Sequence, residues 1–227
     1  MNLKREGGLA MQGRDGIPIA VEMGYRGASL PFVLRLSGAY TAFWLWMAYA
    51  PHHRSDWLLE NLLVFACVGL LAGTYRRLPL TAVSYIQLGL FLALHAYGAH
   101  SSYGATPLDP WLQAVFGGGR LPYDRLVHLA YGLLLACPAA EVLARTLGLR
   151  PAAARTGAVL LVLATGAFYE LIEMWVALLV APELGTLFIG TQGDPWDTQH
   201  DMELELYGAL AAVLGSAWPQ KPRLSAG

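Results

Sequence analysis

The sequence has little charge: Asp, Glu, Lys and Arg make up only 14% of its 227 residues. A soluble globular domain carries about 25% charged residues and about 45–50% apolar ones. Here 56% of residues are hydrophobic and the mean hydropathy is +0.43. Such a chain has too little polar surface to stay dissolved, and the same balance excludes intrinsic disorder. Cysteine is scarce as well. Cys67 and Cys137 alone cannot make a disulfide framework, and both fall within apolar runs as small packing residues. No basic run accompanies the net charge of −1, so nucleic acid is not expected as a partner. There is no internal repeat, no low-complexity region and no Gly-x-Ser-x-Gly elbow. The Gly117, Gly118, Gly119 triplet lacks the strand and Lys-Ser/Thr of a phosphate loop and reads as a flexible connection. What remains is a polytopic membrane protein.

About 20 predominantly apolar residues cross a bilayer as a helix. Six segments qualify, at residues 31–50, 57–75, 79–97, 124–146, 155–180 and 202–218. The expected fold is therefore all-α, a membrane bundle of six transmembrane helices. Residues 1–30 carry Lys4, Arg5, Arg14 and Arg26 and lack the apolar core of a signal peptide, so they read as a mobile cytoplasmic tail. Residues 31–218 form the membrane domain and 219–227 a short cytoplasmic tail. With both termini in the cytoplasm, only Arg54, Arg120 and Arg125 of the 15 basic residues lie outside. The positive-inside rule selects this orientation. It puts the two long connections, 98–123 and 181–200, on the outer side. Trp44, Trp46 and Trp57 fit an interfacial belt there.

A charged side chain inside a span costs at least about 2.5–3.5 kcal/mol on insertion scales, so the polar residues mark a site. In this topology Glu60, Asn61, His95, His100, Tyr103, Asp124, His128, Glu170, Glu173, Asp194, Asp197, His200, Asp201 and Glu205 all fall at one depth, in the outer half. Asp124, His128 and Tyr131 follow i, i+4, i+7; Glu170 and Glu173 are i, i+3; Asp201, Glu205 and Gly208 repeat i, i+4, i+7. Each stripe lies on one helix face and must point into the bundle or a wet cavity. His52 and His53 show no partner pattern and read as solvent-exposed. Gly190 and Gly193, beside Asp194 and Asp197, suit a loop capping the pocket.

Imidazoles and carboxylates around one cavity are the donor set of zinc, manganese or iron. The expected ligands are His95, His100, His128, Glu170, Glu173, Asp194, Asp197 and Asp201. Glu170, Glu173, His128 and Asp124 are the candidate catalytic groups. An acid–base site without metal uses the same residues, because two carboxylates three residues apart in low dielectric do not both ionise cheaply. The alternative for any single residue is a structural polar network, a weaker account of so many buried charges together.

Several blocks carry a resemblance. Leu59-Glu60-Asn61-Leu62, the run from His95 through His100 to Tyr103, Tyr123-Asp124-Arg125 with His128, Tyr169-Glu170 with Glu173, and the run from Gly190 through Asp194, Trp196 and Asp197 to Asp201 resemble the YjdF-type family of uncharacterised bacterial inner-membrane proteins. The likeness runs from about residue 57 to 215. A more distant one is to VanZ-like proteins, associated with glycopeptide tolerance, where Asp124/His128, Glu170/Glu173 and Asp201/Glu205/Gly208 match the Asp-Lys-x-x-His, Glu-x-x-Gln and Asp-x-x-x-Asn-x-x-Gly blocks. Arg125, Glu173 and Glu205 depart from that pattern and make this site more acidic. Neither resemblance implies a settled reaction. The residues favour a metal-dependent or acid–base enzyme acting on a lipid-linked or envelope substrate, with the bilayer as its surroundings. The alternatives are a structural or envelope-stress factor, which needs no chemistry at the pocket, and a proton or divalent-cation transporter. A transporter needs ionisable residues in both halves of the membrane and repeats at its midplane.

Overall fold

The computed structural model describes residues 25–103, 106–116, 122–180 and 196–215. Among the described residues there are seven α-helices and no strand. They are α1 Leu30–Ala48, α2 Arg54–Thr74, α3 Ala82–His100, α4 Asp109–Phe116, α5 Pro122–Leu147, α6 Pro151–Val180 and α7 Asp197–Gly215. Every expected span falls on a helix, and α4 is an extra short one after α3. Four of them, α2, α3, α5 and α6, are long and apolar enough to cross a membrane by length and composition. The remaining two expected spans, α1 and α7, are more polar. α1 carries Arg35 and mixes Tyr40, Trp44 and Trp46 into its apolar run, and α7 opens with Asp197, Asp201, Glu203 and Glu205. The longest helix, α6, has 30 residues.

The helix starts follow local chemistry. Pro31 lies in the first turn of α1, and Pro122 and Pro151 open α5 and α6, where a fixed φ helps and no N–H is missed. Thr81 caps α3, its hydroxyl accepting from the Ser84 N–H. Residues 25–29, placed in the N-terminal tail by sequence, lie against the bundle. The Ala28 N–H donates to the Leu80 carbonyl at 2.7 Å, and the Tyr75 hydroxyl to the Ala28 carbonyl at 3.2 Å.

Helix α5 is the centre of the bundle, packed against α3, α6 and α7, while α1 and α2 lie on α3. Lipid tails are as apolar as leucine, so helices in a membrane associate by close van der Waals contact, which small residues permit. The seams here are built that way. Ala136, Ala209, Ala212 and Val162 form one buried cluster, and Ala140, Ala144, Ala154 and Ala158 another. At the α5–α7 crossing the backbones touch. A Cβ on Gly132 would lie 2.0 Å from the Glu205 carbonyl oxygen, and one on Gly208 2.2 Å from that of Leu129. Large apolar side chains such as Leu34, Leu62, Phe65, Leu160 and Leu178 face outward, the pattern of a helix surface meeting lipid. Among the described residues, α2 and α6 are joined by a hydrogen bond from the Tyr169 hydroxyl to Glu60 Oε2 at 2.9 Å.

One charged network lies at the end of the bundle where α3 begins. Glu141 of α5 is almost fully buried and accepts from the Thr81 N–H (2.9 Å), the Thr81 hydroxyl (2.8 Å), the Ser84 hydroxyl (2.6 Å) and Arg145 Nη1 (2.8 Å). Arg145 Nη1 also donates to the Pro79 carbonyl. The carboxylate thus ties α5 to the α3 N-terminus, where backbone N–H groups and the helix dipole favour an anion.

Candidate metal and acid–base site

The second charged group lies at the opposite end of α5, around His128. The close α5–α7 crossing sets Glu205 of α7 beside it, and the two meet at 3.1 Å through Glu205 Oε1 and His128 Nδ1. Gly166 of α6 leaves room for that carboxylate, since a Cβ there would lie 1.7 Å from Glu205 Oε2. The other imidazole nitrogen, Nε2, faces two carboxylates, Asp124 Oδ1 at 3.7 Å and Glu170 Oε1 at 3.8 Å. Asp201, one turn before Glu205, completes the ring: one donor atom from each of Asp124, His128 and Asp201 lies within 4.8 Å of the others. Donors sharing an ion at about 2.1 Å stand about 3–4 Å apart, so small side-chain movements would close this set on one.

The hydrogen bonding of the ring is incomplete. Asp201 Oδ1, Glu205 Oε2 and Glu170 Oε1 are buried without a hydrogen-bond partner, and Asp201 and Glu205 are only 3% and 2% exposed. Leaving a buried acceptor unmade costs about 1–3 kcal/mol, more for a charged group. Carboxylates held this way are stable against a cation or a proton and little else. Glu173, one turn beyond Glu170, lines the same cavity, as does Asp197. Arg125 clasps α7 from the rim, its Nη2 3.3 Å from His200 Nδ1 and 3.9 Å from Asp197 Oδ1.

The expected ligands divide. The structure brings Asp124, His128, Glu170, Glu173, Asp197 and Asp201 together. His95 lines the cavity, but both its nitrogens are engaged: Nε2 with the Glu60 carbonyl at 3.0 Å and Nδ1 with the Tyr103 hydroxyl at 2.6 Å. It therefore acts as a post between α2 and the turn after α3. That turn folds back because Gly98 has no side chain; a Cβ would lie 2.5 Å from the Tyr103 ring. His100 is elsewhere, its Nδ1 2.8 Å from the Met47 carbonyl of α1. Asp194 lies outside the described residues. Two contributors were absent from the expected ligand set. Glu205 belonged to an expected stripe but was given no role, and it orients His128. Glu60 accepts from the Tyr169 hydroxyl of α6 at 2.9 Å and lies 3.6 Å from His95 Nε2. Its depth within α2 was the available signal.

Together these walls enclose a cavity of about 430 Å³, within the roughly 300–1,000 Å³ of small-molecule sites. Its polar end holds the His128 ring, Glu60, His95 and Tyr103. Its other end is lined by Leu63, Ala66, Cys67, Leu70, Leu88, Phe91, Leu92 and Leu135.

Residues 32–221 match the family described as "Predicted membrane protein (DUF2238)". The chain belongs to this family. It is also 37% identical over 186 residues to the Inner membrane protein YjdF of Escherichia coli (strain K12), covering 81% of this chain and 88% of that protein. No solved structure matches it. The chain is a multi-pass inner-membrane protein of that family, with four helices among the described residues long and apolar enough to cross the bilayer. Both the α5 pair Asp124/His128 and the α7 pair Asp201/Glu205 lie inside the matched residues.

Proposed function

We propose that this protein spans the membrane six times with both termini in the cytoplasm, and that its His128 cluster opens outward as a divalent-metal site of an enzyme acting on a lipid-linked or envelope substrate. The distribution of basic residues supports the orientation. One observation carries the site: His128 is fixed through Nδ1 by Glu205 while Nε2 points into a ring of buried carboxylates with unpartnered oxygens. A carboxylate on one imidazole nitrogen, setting the other toward a cation, is the arrangement that orients metal-bound histidines. Asp124, His128 and Asp201 would hold the ion. The mixed nitrogen and oxygen donors suit zinc, manganese or iron(II).

When bound, the ion supplies Lewis-acid stabilisation of charge developing on a substrate oxygen. The chain's own residues do the rest. Glu170, with Oε1 unpartnered beside His128, is placed to take a proton from an attacking water or hydroxyl. Glu173 one turn away is the second carboxylate of an acid–base pair. Arg125 at the rim stands where an anionic substrate group would enter.

The test is the melting temperature of wild type, His128→Ala and Glu170→Ala in detergent, each with chelator and with zinc, manganese or iron(II). A ligand that binds only the folded state stabilises by about 2.7 kcal/mol at 100 times its dissociation constant, a shift of several degrees. Wild type should show it, His128→Ala should lose it, and Glu170→Ala should weaken it. Absence of any shift in wild type, with no metal in the purified protein, would replace the metal by an acid–base cluster.

A further inference from the structure

The apolar end of the cavity is larger than metal or proton chemistry requires. From Glu60 to Leu70 along α2 is ten residues, about 15 Å at 1.5 Å per residue, and Glu60, Leu63, Ala66, Cys67 and Leu70 all line the cavity. A hydrocarbon core is roughly 30 Å thick, so this wall is as long as the chain of one leaflet. Leu88 of α3 and Leu135 of α5 also line the cavity. The cavity wall reaches the outer face of the bundle at α6, where Phe168 both lines the cavity and is 55% exposed. The Tyr169–Glu60 hydrogen bond joins α6 to α2 at the polar end. Phe65 of α2 is exposed as well. In a bilayer the medium outside this face is acyl chain, so the group that can enter sideways without desolvation is a hydrocarbon tail.

We infer that the cavity is an amphiphile site: it takes one hydrocarbon chain of a membrane lipid, entering past Phe168 of α6, and holds the lipid's polar head at the His128 cluster. This deepens the enzyme reading by naming its substrate class, and rests on that reading only for the chemistry at the head. The apolar chamber binds the tail by shape and hydrophobic contact whichever ion, if any, occupies the carboxylates. The head is expected to be a phosphate ester, because a dication among carboxylates attracts a phosphate that the bare ring would repel.

The probe is hexadecyl phosphate with a diazirine at the chain end, photolysed with the full-length protein in nanodiscs and mapped by peptide mass spectrometry. Adducts on Leu70, Leu88 or Leu135 are expected, and loss of those adducts in Ala66→Trp. Ala66→Phe serves as a second variant should the tryptophan disturb folding. The metal-dependent melting shift should persist in both, since Ala66 lies below the ring. Adducts confined to outward-facing residues such as Leu62 and Leu160, equal in wild type and both variants, would overturn the chamber. Two further results separate this inference from the enzyme reading. Chamber adducts without any metal shift leave the tail site standing and remove the metal. A metal shift without chamber adducts does the reverse. Hexadecanol carrying the same diazirine reports on the head: labelling as strong as with the phosphate would overturn phosphate recognition.

Discussion

The two ends of α5 each bury acidic side chains, and they do so in opposite ways. Glu141 accepts hydrogen bonds from Thr81, Ser84 and Arg145, so its charge is answered entirely by the protein. Around His128, Glu170, Asp201 and Glu205 each keep a buried oxygen without a partner. Burial alone therefore does not mark function in this bundle. A buried carboxylate with a full set of donors is a joint between helices, whereas several with unfilled acceptors form a receptacle. The satisfied one lies where α3 needs a cap; of the unsatisfied ones, Asp201 and Glu205 line the cavity and Glu170 stands beside His128.

The largest effect should come from breaking the satisfied joint. Glu141→Ala leaves Arg145 buried without its partner and frees the Thr81 N–H, a loss of about 3–5 kcal/mol for a broken buried pair. Thermal unfolding in detergent should show a melting temperature far below wild type, with metal still raising it. A fall no greater than that of substitutions in the His128 ring would erase the distinction between the two ends.

A smaller effect separates two glycines that flank the same side chain. Gly132→Ala drives a Cβ into the α7 backbone at Glu205, and overpacking of that kind costs about 1–3 kcal/mol. Gly166→Ala meets only the tip of the Glu205 side chain, which can swing away. The fold should then hold while His128 loses its orienting partner, lowering metal affinity about 10–100-fold. Metal titration followed by melting tells the two apart, and equal stability losses would show that Glu205 is itself a packing residue.

The smallest change in stability is the most diagnostic in sign. Asp201→Asn in chelator replaces a carboxyl group that must take up a proton or bear a buried charge with a neutral amide, so the metal-free protein should gain on the order of 1 kcal/mol, as functional sites do when relieved of strain. The metal shift should vanish in the same variant. A clear loss of stability in chelator would make Asp201 a structural residue like Glu141.

The helices were legible because their apolar runs are long, and the stripes because helical spacing fixes which residues share a face. Asp124 and His128, or Asp201 and Glu205, could be placed on common faces before any packing was known. The partners of His95 and His100 were not legible. His95 and His100 are engaged by the carbonyls of Glu60 and Met47, and no side-chain pattern announces a backbone partner. The Glu141 joint was hidden for a related reason: only Arg145 is a local donor, and the others, Ser84 and Thr81, lie 57 and 60 residues away at the start of α3, brought there by tertiary packing. The glycines at 132, 166 and 208 signal close approach only once the neighbouring helix is known.

The length of α6 has a consequence for the membrane itself. Thirty residues make a rod of about 45 Å, against a hydrocarbon core of roughly 30 Å. The surplus is taken up by tilt, by protrusion or by local thickening of the bilayer, each at a modest cost per ångström of mismatch. Glu170 and Glu173 ride on that rod, so their immersion depends on the thickness of the surrounding lipid. A thinner bilayer brings the carboxylates toward water and a thicker one draws them into oil. In the proposed topology, one overlong helix would let bilayer thickness set how wet the site is.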